Sequence, residues 1–223
     1  MANLRGWYYG HEGSSRHPVK VPVFDMLKGS NYTLVESGKA SWQAVDLCEV
    51  KHLIGVVDED RDDDIMIKSF VDTATHVLEK YTDLITVQRI VKLKLLRWWN
   101  FGIEFPKFPV QSITSIKYYD SAGVQQTWAV TEYQSDLDHR MPLIAIAPDK
   151  QFPQLETGGR LGAVEVEVVA GYANEYSVPA PIKDALKMGV NALYLHRGMC
   201  SEGDVYNAMA PLLHNLTLGY GAI

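Results

Sequence analysis

Hydrophobic residues recur at intervals of three and four positions in two stretches of the chain, and each stretch predicts an amphipathic helix. In the first stretch the apolar positions are Ile67, Phe70, Val71, Ala74, Val77, Leu78 and Tyr81. Their spacing predicts a helix over 62–82 with one buried face. In the second stretch Ile182, Ala185, Leu186, Gly189 and Leu193 share one face. A helix is therefore predicted over 180–198, with Pro181 in its first turn and Gly198 at its end. Shorter helices are predicted at about 45–53 and 203–213.

Between these helices the hydrophobic period changes to two, which is typical of β-strands. Val164, Val166 and Val168 alternate with Glu165 and Glu167. In the same way Val91, Leu93 and Leu95 alternate with Lys92 and Lys94. Further strands are predicted in PVQSITSIKYYDSAGVQQTW, around a turn at 120–123, and in MPLIAIAP. The segment 86–172 is therefore predicted to be mainly antiparallel β-structure.

These patterns divide the chain into five segments. Residues 1–40 show no sustained period and are rich in Gly, Ser, Pro and aromatic residues, which favours an extended N-terminal arm over an ordered subdomain. Residues 41–85 and 173–214 are the helical parts, 86–172 the β subdomain and 215–223 a C-terminal tail. The predicted fold class is α+β: a helical bundle scaffold with an inserted, mainly antiparallel β subdomain and extended terminal arms.

Composition narrows the classes of function. The 223 residues carry a formal net charge of -6, and the sequence pI is about 5.6. This balance argues against a protein whose main task is to neutralise a phosphate backbone, because that affinity comes from Lys and Arg. The sequence shows no leader pattern, no apolar run of membrane-spanning length and no disulfide framework from its two cysteines. A protein made and kept in a cytoplasm, without a membrane partner, is expected.

An acidic run precedes the first predicted helix. It consists of Asp58, Glu59, Asp60, Asp62, Asp63 and Asp64, interrupted by Arg61. As a calcium loop starting at Asp58 it fails, because Asp63 and Ser69 stand where an EF-hand requires Gly and Glu. The favoured interpretation is that the acids interact with the positive end of the helix dipole and that one of Asp62 to Asp64 caps its free amides.

Basic and aromatic residues meet in KLKLLRWWN, at 92–100. Lys92, Lys94 and Arg97 could serve a nucleic-acid surface, although strand alternation also explains the lysines as a solvated face. Trp98 and Trp99 are adjacent, so one of them is expected to be exposed as a partner interface. Glu165 and Glu167 share a strand face, but no partner base, nucleophile or metal motif accompanies them. The sequence therefore predicts neither an enzyme nor a cofactor.

The order of four blocks resembles the head-tail connector, or adaptor, proteins of tailed bacteriophages, which are also described as phage DNA-packaging proteins. The blocks are the acidic cluster leading into DDDIMIKSFVDTATHVLEKYT, then PVQSITSIKYYDSAGVQQTW, GAVEVEVVAGY and VPAPIKDALKMGVNALYLHR. The resemblance covers about residues 44–213. The first 40 residues have no counterpart in the shorter members of the family, and the family has no catalytic motif to transfer.

The resemblance implies a virion structural protein of the neck. Such proteins form a ring, typically of about twelve copies, that attaches below the portal protein, extends the DNA channel and carries the stopper or tail-completion protein. By this resemblance the subunit is made in the cytoplasm of the host bacterium. DNA passes through the ring without specific binding, and the alternative is a nucleic-acid-binding packaging factor.

The resemblance assigns candidate residues at the C-terminal end and in the acidic run, and the aromatic residues of the sequence supply others. The portal interface is expected at the C-terminal end, at Leu212, Leu213, Leu216, Leu218, Tyr220 and Ile223. A partner interface, with the capsid as one candidate partner of the arm, is expected at Trp7, Tyr8, Tyr9, Trp98 and Trp99. The acids of 58–64 are candidates for a channel-facing band.

Overall fold

Both stretches of helical period form helices, as predicted. The computed structural model describes residues 32–99, 102–138 and 140–219, with side chains up to Leu213. In these ranges the helices are α1 (Leu47–Ile54), α2 (Asp64–Thr82), α3 (Ala180–Leu195) and α4 (Glu202–Gly219). α4 contains Pro211 and continues past its predicted end at Leu213 into the segment predicted as a tail. In the described ranges, no helix combines the length and the apolar character that crossing a bilayer requires.

The β-structure forms two antiparallel sheets. The strands in the described ranges are β1 (Tyr32–Ser37), β2 (Arg89–Leu95), β3 (Ile103–Glu104), β4 (Val110–Tyr119), β5 (Gln125–Thr127), β6 (Tyr133–Asp136), β7 (Leu143–Ile146) and β8 (Val164–Ala170). One sheet has the order β1-β2-β8-β4-β5 and the other β3-β7-β6. The predicted α+β class with antiparallel strands is confirmed.

The first strand lies inside the segment predicted as an N-terminal arm. β1 pairs with β2 over its whole length, from Tyr32 opposite Leu95 to Ser37 opposite Ile90. None of its side chains is fully buried, so its hydrophobic pattern is too weak to predict a strand. Residues 1–31 of the predicted arm lie outside the described residues.

The helices pack around one apolar core. It is formed by buried positions of α1 to α4, such as Val50, Ile67, Leu186 and Met209. Gly189 lies where α3 crosses both neighbours: a Cβ at this position would lie 2.9 Å from the Met209 sulfur and 3.2 Å from the Ala74 Cβ. The close approach of these helices therefore depends on the missing side chain.

A second core lies between the two sheets. One face of the five-stranded sheet supplies Val91, Leu93, Val166 and Val168, and the three-stranded sheet covers it with residues that include Ile103 and Ile144. The other face of the five-stranded sheet carries Lys92, Lys94, Glu165 and Glu167, which are half-buried. The strict alternation in β2 and β8 thus reports one packed face and one solvated face.

Candidate assembly surfaces

The acidic run forms a loop around a buried lysine. Lys51, in α1, is 2% exposed, and its ammonium donates to the backbone carbonyls of Asp58, at 3.2 Å, and of Asp60. Its Nζ also lies 2.5 Å from Oδ1 of Asp64. The ammonium therefore holds two carbonyls of the loop by hydrogen bonds and the carboxylate at the start of α2 by an ion pair. No group of three or more metal-binding side chains occurs in the described ranges.

The predicted capping role of these acids is wrong in its detail. Asp63 is the N-cap of α2, but its side chain caps no backbone amide. Instead, the Tyr194 hydroxyl donates to Oδ2 of Asp63 at 2.8 Å, and Arg197 lies 4.0 Å from the same oxygen. The hydrogen bond to Asp63 raises the pKa of Tyr194. Asp63 thus joins the start of α2 to the end of α3.

Four acids of the run remain at the surface. Asp58, Glu59, Asp60 and Asp62 are exposed, whereas Asp63 and Asp64 are only partly exposed and make the internal contacts described above. The surface of this loop is therefore acidic, while its single buried cation is enclosed. Whether these acids face a channel stays a prediction.

Apolar side chains are exposed at the same end of the helical part. Ile65 follows the acidic loop and is 84% exposed, and Val57 precedes the run and is 66% exposed. Leu195, the last residue of α3, and Met199, which follows the helix, are 69% and 87% exposed. The Tyr194–Asp63 bond brings the end of α3 to the start of α2. This end of the subunit thus combines exposed apolar side chains with exposed carboxylates, a composition found at protein interfaces and their rims.

The residues predicted to contact the portal divide into three groups. Leu213 is 4% exposed and belongs to the helical core, so its side chain stabilises the subunit itself. Leu212 is 38% exposed. Leu216 and Leu218 lie in α4 with side chains outside the described part, and Tyr220 and Ile223 lie outside the described residues.

The two adjacent tryptophans are both half-buried. Trp98 donates from Nε1 to the Pro153 carbonyl at 2.9 Å and packs in an aromatic cluster with Trp128 and Phe152, at centroid distances of 4.8 and 5.2 Å. Trp99 packs edge-to-face with Tyr32, with 6.5 Å between the ring centroids. The ring of Trp98 therefore packs inside its own subunit, and partner contact stays a prediction. Trp7, Tyr8 and Tyr9 lie outside the described residues.

The lysines of β2 face glutamates of β8. Lys92 lies 2.7 Å from Glu167, and Lys94 lies 3.3 Å from Glu165. The hydrogen bond to Glu167 raises the pKa of Lys92. These four residues form a ladder whose charges cancel in pairs. Glu165 and Glu167 are therefore partners of lysines, and the charges of Lys92 and Lys94, the candidates for a nucleic-acid surface, are offset by these glutamates.

A buried arginine joins the helical part to the large sheet. Arg89 opens β2 and contacts Glu79 of α2 through two bonds, at 2.7 and 2.9 Å, and Glu36 of β1 at 2.7 Å. Glu79 also accepts from the amide and hydroxyl of Thr86. This network was not predicted. The sequence does contain a sign of this network, because Arg89 lies on the same face of β2 as the buried positions Val91 and Leu93.

Comparison with solved structures finds this fold in particles that transfer genes. A chain in the neck of an empty gene transfer agent particle, computed with C6 symmetry, matches with a TM-score of 0.64 at 22% identity. A chain in the virion of a native gene transfer agent particle matches with 0.64 at 21%. A chain in the neck of a native particle, computed with C12 symmetry, matches with 0.61 at 22%.

Each match covers 81% of this chain and 94% of the other chain. The resemblance inferred from the order of sequence blocks is thus confirmed at the level of the fold. No protein-family model matches the sequence, and the search of curated proteins finds no significant match.

Proposed function

We propose that this protein is a structural subunit of a virion neck and forms a ring that adapts the portal to the tail. The observation that carries the proposal is the shared fold with neck chains, which extends over nearly the whole length of those chains. The proposed role is non-enzymatic. The order of blocks in the sequence, from acidic run to last helices, supports the same class of protein.

A closed ring requires two unlike surfaces on each subunit, because its contacts run head to tail. The subunit has such surfaces: the acidic and apolar end of the helical part, and the charge-paired open face of the large sheet. In the proposal the four helices form the scaffold of the ring, of about twelve copies. The Arg89 network fixes the β-structure on that scaffold, so that neighbouring subunits meet with one geometry.

The acidic loop suits a DNA channel. DNA must slide through the neck, and basic walls would bind its phosphates. Repeated around a ring, the exposed carboxylates of Asp58, Glu59, Asp60 and Asp62 would form a band of negative charge. In this proposal the band faces the lumen and DNA passes it without specific binding.

The portal contact is assigned to the end of α4 and the residues after it. Leu212 is exposed, and Leu216, Leu218, Tyr220 and Ile223 follow in an apolar segment with a single basic residue, His214, and no acid after Asp204. In the proposal the N-terminal arm contacts the capsid or a neighbouring subunit, and the opposite side of the ring binds the stopper or tail-completion protein.

Deletion of the last residues tests the portal contact. Truncation after His214 keeps the buried Leu213 and removes the last turn of α4, so we expect a folded subunit whose helical circular dichroism is lower by that turn alone. It should no longer co-sediment with the portal protein, whereas a Leu161→Ser variant, changed at an exposed loop residue, should bind as the full chain does. Normal co-sedimentation of the truncated protein would refute the assignment of the portal contact.

The alternative, a nucleic-acid-binding packaging factor, has less support. It relies on Lys92, Lys94 and Arg97, and the first two are paired with glutamates. We expect no measurable binding of duplex DNA at low salt by fluorescence anisotropy. Binding that weakens steeply with added salt would favour the alternative.

A further inference from the structure

We propose that Lys51 is a built-in counter-ion that holds the acidic loop in shape without a bound metal ion. In calcium-binding loops, carboxylates and inward-turned backbone carbonyls converge on a bound cation. Here two carbonyls, of Asp58 and Asp60, and one carboxylate, of Asp64, converge on the Lys51 ammonium. The cation belongs to the chain itself.

The burial of Lys51 supports this role. A lysine ammonium is rarely found in a protein interior, because removal from water is costly unless every donor is satisfied. The Lys51 side chain is 3% exposed. Its ammonium donates hydrogen bonds to the Asp58 and Asp60 carbonyls and forms an ion pair with the Asp64 carboxylate. Other contacts hold the two ends of the loop: His52 lies 3.4 Å from Asp58, and the Tyr194 hydroxyl donates to Asp63. Within the loop the Asp60 amide bonds the Val57 carbonyl, and the Asp62 amide bonds Oδ1 of Asp60.

The arrangement has a consequence for the exposed acids. Because the carbonyls and Asp64 point inward to the ammonium, Asp58, Glu59 and Asp62 project outward, and their placement does not depend on divalent cations. If the proposed function is correct, the negative band of the ring keeps its shape whatever the magnesium or calcium concentration around the DNA. The role of Lys51 in the free subunit does not rest on that function.

Hydrogen exchange of the loop in the full-length protein tests the proposal. In the unmodified protein, amide exchange in a peptide spanning 56–64 should be the same in EDTA and in excess Ca²⁺. The variant Lys51→Met, which keeps the length of the side chain but removes the ammonium, should exchange at least about tenfold faster in this peptide. The control Lys68→Met, at an exposed position of α2, should exchange as the unmodified protein does.

A second variant keeps the test decisive if Lys51→Met does not fold. Asp64→Asn removes one charged acceptor at almost unchanged size, and we expect a smaller acceleration confined to the same peptide.

The proposal is overturned if EDTA accelerates or Ca²⁺ slows exchange in the unmodified loop, since a metal ion would then hold it. It is also overturned if the loop of whichever variant folds exchanges like the Lys68→Met control. The exchange experiment measures the free subunit. If it contradicts the role of Lys51, the proposed neck function is unaffected, and if the protein forms no ring, the role of Lys51 in the loop is unaffected.

Discussion

The acidic loop and the open face of the large sheet are both rich in charge, but they differ in where their cations lie. In the loop the cation, Lys51, is buried, and at the surface Asp58 faces the imidazole of His52, 3.4 Å away. On the sheet Lys92 and Lys94 are each matched by a glutamate at the surface. The comparison shows that a run of charges in sequence does not determine the potential of a surface. Pairing and burial determine it.

The same comparison separates the energetic roles of the cations. Buried cations that hold several acceptors are expensive to remove, because their partners are left desolvated and unpaired. Removal of a cation from an open face lowers stability little, because water replaces it as the partner of the remaining carboxylate. Arg89, which joins the helical part to the large sheet, is the most extensively paired of these buried cations.

Replacement of Arg89 should have the largest effect on stability. Arg89→Met leaves Glu79 without its main partner in a largely buried position and releases Glu36 of β1. We expect the free energy of unfolding to fall by about 3–5 kcal/mol, measured by urea denaturation. The matched control, Arg97→Met, changes an exposed arginine at the end of β2 and should leave stability unchanged. If Arg89→Met and Arg97→Met have the same free energy of unfolding, the Arg89 network contributes nothing to stability.

Replacement of Lys51 should have the next largest effect. Lys51→Met leaves two carbonyls and the Asp64 carboxylate without their donor, which should lower the free energy of unfolding by about 2–4 kcal/mol. The measurement is again urea denaturation, with Lys68→Met as control. A Lys51→Met variant as stable as this control would mean that the loop does not depend on the buried ammonium.

Replacement of Lys92 should have a much smaller effect. In Lys92→Met the partner Glu167 gains water, because this face of the sheet is open. The urea midpoint should therefore shift far less than in Lys51→Met. A shift as large as that of Lys51→Met would contradict the contrast between the buried and the open region.

The smallest effect is expected at the turn between β4 and β5, under acid. Hydrogen bonds from the Gln126 side chain and from the backbone amides of Val124 and Ala122 lower the pKa of Asp120. Stability from a carboxyl with a lowered pKa is present above its ordinary pKa and is lost as the pH falls through the lowered folded value. The Ala122 and Val124 amides should then exchange faster in acid than intrinsic exchange accounts for.

The variant Asp120→Asn serves as the control for this turn. Its amide oxygen can still accept hydrogen bonds but does not titrate, so the extra acid dependence should disappear. If the extra acid dependence of amide exchange remains in Asp120→Asn, another titrating group causes it.

Much of the fold could be predicted because its main elements have one clearly buried face. α2, α3, β2 and β8 follow the expected periods, with boundaries close to the predicted ones. β1 could not be predicted, because none of its side chains is fully buried and its pairing with β2 is made by the backbone. α4 continues through Pro211 and past its predicted end at Leu213, although proline is usually unfavourable inside a helix.

The candidate surfaces were harder to predict than the elements. The acidic run was found, but its partner was not, although Lys51 lies in the 47, 50, 51, 54 spacing that marks the buried face of α1. A buried lysine at such a position is unusual, and only the return of the loop to α1 shows why it is stable there. The pairing of Lys92 and Lys94 depends on the strand order, which places β8 beside β2 and which local sequence does not specify.

Electron microscopy of the purified protein mixed with its portal protein tests the central claim most directly. The proposed function predicts closed rings stacked coaxially on the portal, with the exposed acids of 58–64 at the channel wall in a reconstruction. A protein that remains monomeric with the portal present at high concentration would contradict the claim.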